Sequence, residues 1–188
     1  GMKPAVAALV EHQPEDMIAS VEAGMTLRAF QERLRASGQW LPIDPPDEDI
    51  RIGELLAFDV SGSRRLGYGT VRDYLIGIRV AMADGTVIKA GGKVVKNVAG
   101  YDLCKLFIAA RHSIGIIVEA TFKLRPLPEE ERFVGFTVAS MDELEAAREK
   151  LWSSRAEPVL MDGYYRAGKI EVAAAFGGKR EVVDAQGE

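Results

Sequence analysis

Residues 93–118 read Lys93-Val94-Val95-Lys96-Asn97-Val98-Ala99-Gly100-Tyr101-Asp102-Leu103-Cys104-Lys105-Leu106-Phe107-Ile108-Ala109-Ala110-Arg111-His112-Ser113-Ile114-Gly115-Ile116-Ile117-Val118. A basic run ends on a glycine, a short amphipathic segment follows, and a glycine-led apolar run comes next. Helical spacing of Leu103, Leu106 and Phe107 predicts a helix over about 101–109, with Asp102 in the first turn, where a carboxylate meets the positive helix end. From Gly115 onward the chain alternates. Ile116, Val118, Ala120, Phe122 and Leu124 share one face and Glu119, Thr121 and Lys123 the other, the pattern of a half-buried strand.

Upstream, the runs at 75–83 and 86–90 flank Asp84-Gly85, the strongest short-range hairpin signal. Before them lies a turn-rich stretch, Gly62-Ser63-Arg64-Arg65-Leu66-Gly67-Tyr68-Gly69-Thr70, whose glycines permit close approach of a ligand to the backbone. Ile52, Leu55 and Leu56 mark a short helix. Pro42, Pro45 and Pro46 forbid one over 41–46, which is expected to be an extended surface loop. Thr26 offers an N-cap to Leu27, Phe30 and Leu34, a helix closed by Ser37-Gly38. Residues 17–22 read as a strand.

Downstream, Pro126, Pro128 and Glu129-Glu130-Glu131 mark a boundary. A strand at 133–138 follows, then a capping box, Ser140-x-x-Glu143, opening a helix with Leu144, Ala147 and Leu151 inward. A hairpin of 158–165 and 169–176 turns at Ala167-Gly168. This β-α-β-β unit is half of a ferredoxin-like fold. A single-helix unit of that size is marginal alone, which predicts docking or pairing with another chain. The fold class read from these patterns is α+β, in three parts: 1–128, 129–176 and a tail at 177–188.

The 188 residues carry a net charge of −4, yet residues 62–111 hold nine basic side chains against three acidic ones. A basic middle in an acidic protein points to an anionic ligand, or to solvated strand and helix faces. Nucleic acid is disfavoured by the net charge and by the lack of interleaved aromatics. No apolar run reaches the length of a membrane span, and the start shows no signal-peptide core. Gly1 ahead of Met2 reads as a residue left by tag removal. One cysteine excludes an internal disulfide and fits a reducing cytoplasmic setting. His12 and His112 stand alone, so no metal ligand set is expected.

The core Lys96-Asn97-x-x-Gly100-Tyr101-Asp102-Leu103 resembles the flavin-binding domain of the FAD-linked oxidase family, of the PCMH and vanillyl-alcohol-oxidase type. Three further blocks resemble it in the same order. The first is 20–26 with Gly38-Gln39-Trp40-Leu41-Pro42-Ile43-Asp44-Pro45-Pro46. The second is Ser61-Gly62-Ser63-Arg64-Arg65 running to Tyr68-Gly69-Thr70-Val71-Arg72-Asp73, and the third is Glu119-Ala120-Thr121-Phe122-Lys123-Leu124-Arg125-Pro126. Together they cover about residues 16–128 and are most similar to the glycolate oxidase FAD-binding subunits. The resemblance implies the second subdomain of such a domain, FAD as cofactor, and electron transfer from a 2-hydroxy acid. It implies Ser61, Gly62, Tyr68, Gly69 and Asp73 along the cofactor. Gly100, Tyr101 and Asp102 would lie near the flavin end, and Gly115, Ile116 and Ile117 would offer backbone groups. A homodimer, or assembly with other oxidase subunits, is the implied partnership.

Three departures accompany it. Nothing before Asp16 resembles the family's opening subdomain with its Gly-Gly-Gly-type pyrophosphate loop. Gly53-Glu54 stands where the family has a glycine pair, and Ala109-Ala110-Arg111-His112-Ser113-Ile114-Gly115 replaces Gly-Ser-x-Gly-Thr-Leu-Gly. Hydrogen bonds to charged groups contribute roughly 1.5–3 kcal/mol each. Two or three fewer would weaken FAD binding by about 10²- to 10⁴-fold. Two readings therefore stand: an FAD-linked oxidoreductase component, or a flavin-free relative serving as an interaction scaffold.

Individual residues carry alternatives. His112 is a general base or a plain surface-loop histidine. Tyr101 and Asp102 are flavin contacts or helix-start residues. Cys104 is a reactive thiol beside Lys105 or a small buried apolar group. No catalytic acid or base is identified. Trp40 and Trp152 read as packing anchors, and His12 as exposed.

Overall fold

The computed structural model describes residues 7–92, 102–154, 156–181 and 183. In chain order its elements are β1 (Leu9–Gln13), β2 (Ile18–Glu22), α1 (Leu27–Arg35), β3 (Gln39–Trp40), α2 (Ile52–Ala57), α3 (Arg65–Tyr68), α4 (Val71–Tyr74), β4 (Leu75–Ala81), β5 (Val87–Gly91), β6 (Ile116–Lys123), β7 (Arg125–Pro126), β8 (Glu130–Val138), α5 (Met141–Ser153), β9 (Leu160–Arg166) and β10 (Lys169–Gly178), with 3-10 turns at Pro14–Asp16 and Leu103–Leu106. Every strand pair is antiparallel, and the architecture is α+β. Two units result. The first comprises the described residues up to Gly62 together with Thr70–Leu127; the second takes Ser63–Gly69 and the residues from Pro128 onward.

In the first unit the main sheet runs β1-β2-β6-β4-β5, and β3 pairs with β7 beside it. The core joins Val21, Phe30, Leu34, Leu55, Leu56, Val80 and Phe122. The Phe30 and Phe122 rings meet at 5.9 Å between centroids. Thr26 caps α1 by accepting from the Ala29 N–H at 3.3 Å, as its hydroxyl predicts. The hairpin turn between β4 and β5 is held by Asp84, whose carboxylate accepts from the Thr86 amide at 2.9 Å and hydroxyl at 2.7 Å. Those bonds lower the Asp84 pKa, the Thr86 hydroxyl bond contributing most.

Expectations for three stretches of the first unit need correction. The proline stretch at 41–46 is not a surface loop: Leu41 and Ile43 are buried. The Leu41 backbone is satisfied by the Gln31 side chain on α1, whose amide donates to Leu41 O while its carbonyl accepts from the Leu41 N–H at 3.1 Å. A side-chain amide thus takes the place of a neighbouring strand.

The helix expected at 101–109 is, in the described part, a single 3-10 turn with Leu103 and Leu106 exposed. Phe107 is buried as expected, but Cys104 and Ile108 join it in place of Leu103 and Leu106, because the tighter winding rotates the stripe. On β6 the buried set switches parity: Ile117, Ala120 and Phe122 are inside, and Ile116 is 60% exposed. The pairing with β4 slips between Arg79 opposite Glu119 and Val80 opposite Ile117, a bulge at Val118 that reverses the faces beyond it. The edge strand β1 was not anticipated; its half-exposed residues carry little periodic signal.

The second unit has a three-stranded sheet, β8-β10-β9. Ser140 accepts from the Glu143 N–H at 3.2 Å, the N-cap half of the expected capping box, while the Glu143 carboxylate reaches one residue further back and accepts from the Ala139 N–H at 2.8 Å. Leu151 and Ala156 pack on Ala174, Phe176 and Val183. Trp152 is 61% exposed, so it is no packing anchor, whereas Trp40 is buried with Nε1 donating to Pro126 O at 3.1 Å. Among the described residues, no helix is long and apolar enough to cross a membrane.

Candidate functional site

The first unit holds several of the sequence-selected residues, each with its own local partners. Ser61 follows α2, and its Oγ accepts from the Val71 N–H at 3.4 Å. Gly62 is buried: a Cβ there would lie 1.9 Å from Asp44 O and 2.0 Å from Asp44 Oδ1. Glycine is therefore required at this position by the chain itself. Asp73 closes a capping box on α4, accepting from the Thr70 amide at 2.8 Å and hydroxyl at 3.1 Å. Asp102 is exposed and lies 3.4 Å from Lys105 Nζ. Gly100 and Tyr101 lie outside the described residues.

Cys104 sits beneath Ile76 and Gly91. Burial first, then the Asp102 charge, pushes its thiol up to about 11. It is a neutral, packed thiol at pH 7 rather than a nucleophile.

The segment 109–113 is built on the C-terminal end of α2. The Ala109 N–H donates to Leu56 O at 3.1 Å and the Arg111 N–H to Ala57 O at 2.9 Å, so the helix's last carbonyls are satisfied by this loop. Ala109, Arg111 and His112 adopt φ of 61°, 50° and 61°. The exposed His112 ring stands edge-on to Phe58 at 6.2 Å. A left-handed backbone costs a non-glycine residue roughly 1–2 kcal/mol. Ala109→Gly is accordingly expected to raise stability by about 1 kcal/mol, less the added entropy of the unfolded chain, read as a higher thermal midpoint.

Gly115 precedes β6 and lies against Val80, where a Cβ would meet Cγ1 at 2.5 Å. Ile116 is exposed and Ile117 buried. β2 pairs with β6 only as far as Glu22 opposite Glu119, and Ala23 N–H reaches Val118 O at 3.0 Å. Beyond Val118, among the described residues, β6 has β4 on one side and no strand on the other. Adjacent strand residues direct their N–H and C=O to opposite sides, so at most one of Ile116 and Ile117 turns its backbone away from β4, and of the two only Ile116 is exposed.

In the second unit, Tyr68 ends α3 and Gly69 caps it at φ 86°, a conformation open to glycine. The rest of that segment is committed to its own unit. Gly67 packs on Val159, its N–H donating to Val159 O at 3.2 Å. Ser63 Oγ donates to Asp162, and Arg64 forms a forked ion pair with Glu131. Arg79 meets Glu119 at 3.2 Å. Several charges of the basic middle are therefore spent internally; Lys93 and Lys96 lie outside the described residues. Among the described residues no cluster of side chains could hold a metal. Sequence reasoning missed Asp44 and Glu131, which only the fold brings to Gly62 and Arg64.

Residues 4–91 match the family model described as FAD binding domain. Over 125 residues, 66% of this chain, the sequence is 38% identical to glycolate oxidase subunit GlcD of Bacillus subtilis (strain 168), of which the match covers 27%. It is 34% identical over 122 residues, 64% of this chain, to glycolate oxidase subunit GlcE of Escherichia coli (strain K12), covering 35% of that protein. A D-lactate dehydrogenase of Archaeoglobus fulgidus is 27% identical over 92% of this chain and 39% of its own length. The chain thus spans well under half of these curated relatives. A solved alkyldihydroxyacetonephosphate synthase superposes with a TM-score of 0.82 at 19% identity, over 96% of this chain and 38% of the other, a likeness of fold.

Proposed function

We propose, from the premise that residues 4–91 belong to the FAD binding domain family, that this chain is a flavin-holding component of an oxidoreductase acting on 2-hydroxy acids. The observation that carries it is that family match, in a chain similar to glycolate oxidase subunits and D-lactate dehydrogenases. FAD is the cofactor of this reading; when bound, its isoalloxazine supplies the hydride acceptor. The finer assignment is a subunit of the glycolate oxidase kind, working with other oxidase subunits or a second copy.

The chain's own contribution is to bind and orient. The exposed Ile116, on the part of β6 beyond its pairing with β2, would offer main-chain contacts to a flavin edge, with Ile117 and Gly115 holding that part of the strand against Val80. Asp102 is an exposed carboxylate at the next turn. Ser61, Gly62 and Asp73 would act through a backbone held in shape by the Asp44 packing and the α4 cap. Tyr68, Gly69, Gly100 and Tyr101 are proposed on the sequence match alone.

A flavin-free scaffold is the second reading. It is favoured by the amides of Ala109 and Arg111, which are already given to Leu56 and Ala57 and cannot serve a ligand. FAD titration separates the two. Quenching of flavin fluorescence with a micromolar midpoint, and loss of the blue absorbance band on adding a 2-hydroxy acid under anaerobic conditions, are expected for the first. No quenching at any concentration would sink it.

A further inference from the structure

We propose that Asp84-Gly85 is a site of spontaneous covalent modification, at which the main chain shifts from the α- to the β-carboxyl of Asp84, and that Thr86 governs its rate. The inference is independent of the flavin reading. The sequence holds two Asp-Gly pairs, Asp84-Gly85 and Asp162-Gly163. Glycine after aspartate leaves the main-chain nitrogen open to react, because no Cβ shields it. Local sequence makes the two pairs alike, and the fold separates them.

In the reaction, the Gly85 nitrogen gives up its proton and attacks Asp84 Cγ, and one carboxyl oxygen leaves as water. The product is a five-membered succinimide. Water then adds at the Asp84 main-chain carbonyl carbon and breaks its bond to nitrogen, leaving the chain routed through Cγ as isoaspartate. One water is lost and one regained, so no oxidant or reductant is needed.

Asp84 and Gly85 lie at the exposed tip of the β4–β5 hairpin. Gly85 has φ 86°, and a Cβ there would meet nothing within 4 Å, so the approach is unobstructed. Two sets of bonds restrain it. The Asp84 carboxylate accepts from the Thr86 amide and hydroxyl, and the Gly85 N–H donates to Met82 O at 3.0 Å. The Thr86 bonds favour the ionised carboxylate, the form from which an oxygen leaves least readily. Both sets are local and exposed, so they open far more often than a paired strand does.

Asp162-Gly163 lies inside β9, with Asp162 opposite Ala173 and Gly163 opposite Val172 of β10. Its half-buried carboxylate accepts from Ser63 Oγ. Closing a succinimide there would require the β9–β10 ladder to part.

The test ages the whole chain at neutral pH and body temperature. Isoaspartate is counted by methyl transfer from labelled S-adenosylmethionine with an isoaspartyl carboxyl methyltransferase, then assigned by peptide mapping. Label is expected in the peptide holding Asp84, and at least about tenfold less in the one holding Asp162. Thr86→Val, which drops the hydroxyl bond, should age at least about threefold faster, while Thr86→Ser should match the parent. Circular dichroism confirms that each variant is folded. In denaturing urea, where the fold no longer separates them, the two sites should age at comparable rates. No label at Asp84, equal label at Asp162, Thr86→Val ageing no faster than Thr86→Ser, or the same preference in urea would each overturn the proposal.

Discussion

Gly62→Ala is expected to lower the stability of the flavin-free protein by about 3 kcal/mol, the upper range for forcing atoms into a packed interior. The added methyl would fall 1.9 Å from a main-chain oxygen of Asp44, which has no flexible end to swing away. Either 41–46 or the junction after α2 must move. The first of these is anchored by Gln31 through Leu41 and buries Leu41 and Ile43. Urea denaturation of the FAD-free chain reads the effect as a lower midpoint at unchanged slope. If Gly62 mattered only for letting a phosphate approach the backbone, the free protein would melt normally and only FAD affinity would fall. An unchanged midpoint would therefore reject the packing role.

Arg64→Met is expected to cost about 3 kcal/mol, at the lower end for breaking a largely buried ion pair. The Arg64 and Glu131 side chains are only 16% and 20% exposed, so removing the guanidinium strands a carboxylate away from water. For a chain of this size that corresponds to a fall of roughly 6–12 °C in the melting midpoint. The double variant Arg64→Met with Glu131→Leu should recover more than half of the loss, because it removes the stranded charge as well. A double variant no more stable than the single one would show that Arg64 acts through other contacts. Such a result would return that cation to the pool available for an anionic ligand.

Both experiments bear on how much of the candidate site could be read in advance. The glycines and the cations were visible as residue types, and a ligand was the simplest account of them. The fold supplies internal partners for several, Asp44 for Gly62, Glu131 for Arg64 and Glu119 for Arg79, and does the same for the carboxylate Asp73 through Thr70. Of these only the last is near in sequence, a cap spanning three residues that the Thr-x-x-Asp spacing could have announced. The others join residues far apart along the chain, and no local pattern reports them.

The local chemistry of the chain by itself determined where α1 and α5 begin, where the β4–β5 hairpin turns and where the β-α-β-β unit lies. Caps, Asp-Gly turns and apolar periodicity are decided by residues within one or two turns of each other. The tertiary structure alone decided which face of β6 is inside, because a bulge at Val118 depends on the partner strand. It alone turned the proline stretch inward, since the Gln31 amide that satisfies the Leu41 backbone is brought there by packing. Burial and pairing are properties of neighbours in space, and a periodic pattern can name a face without saying what will cover it.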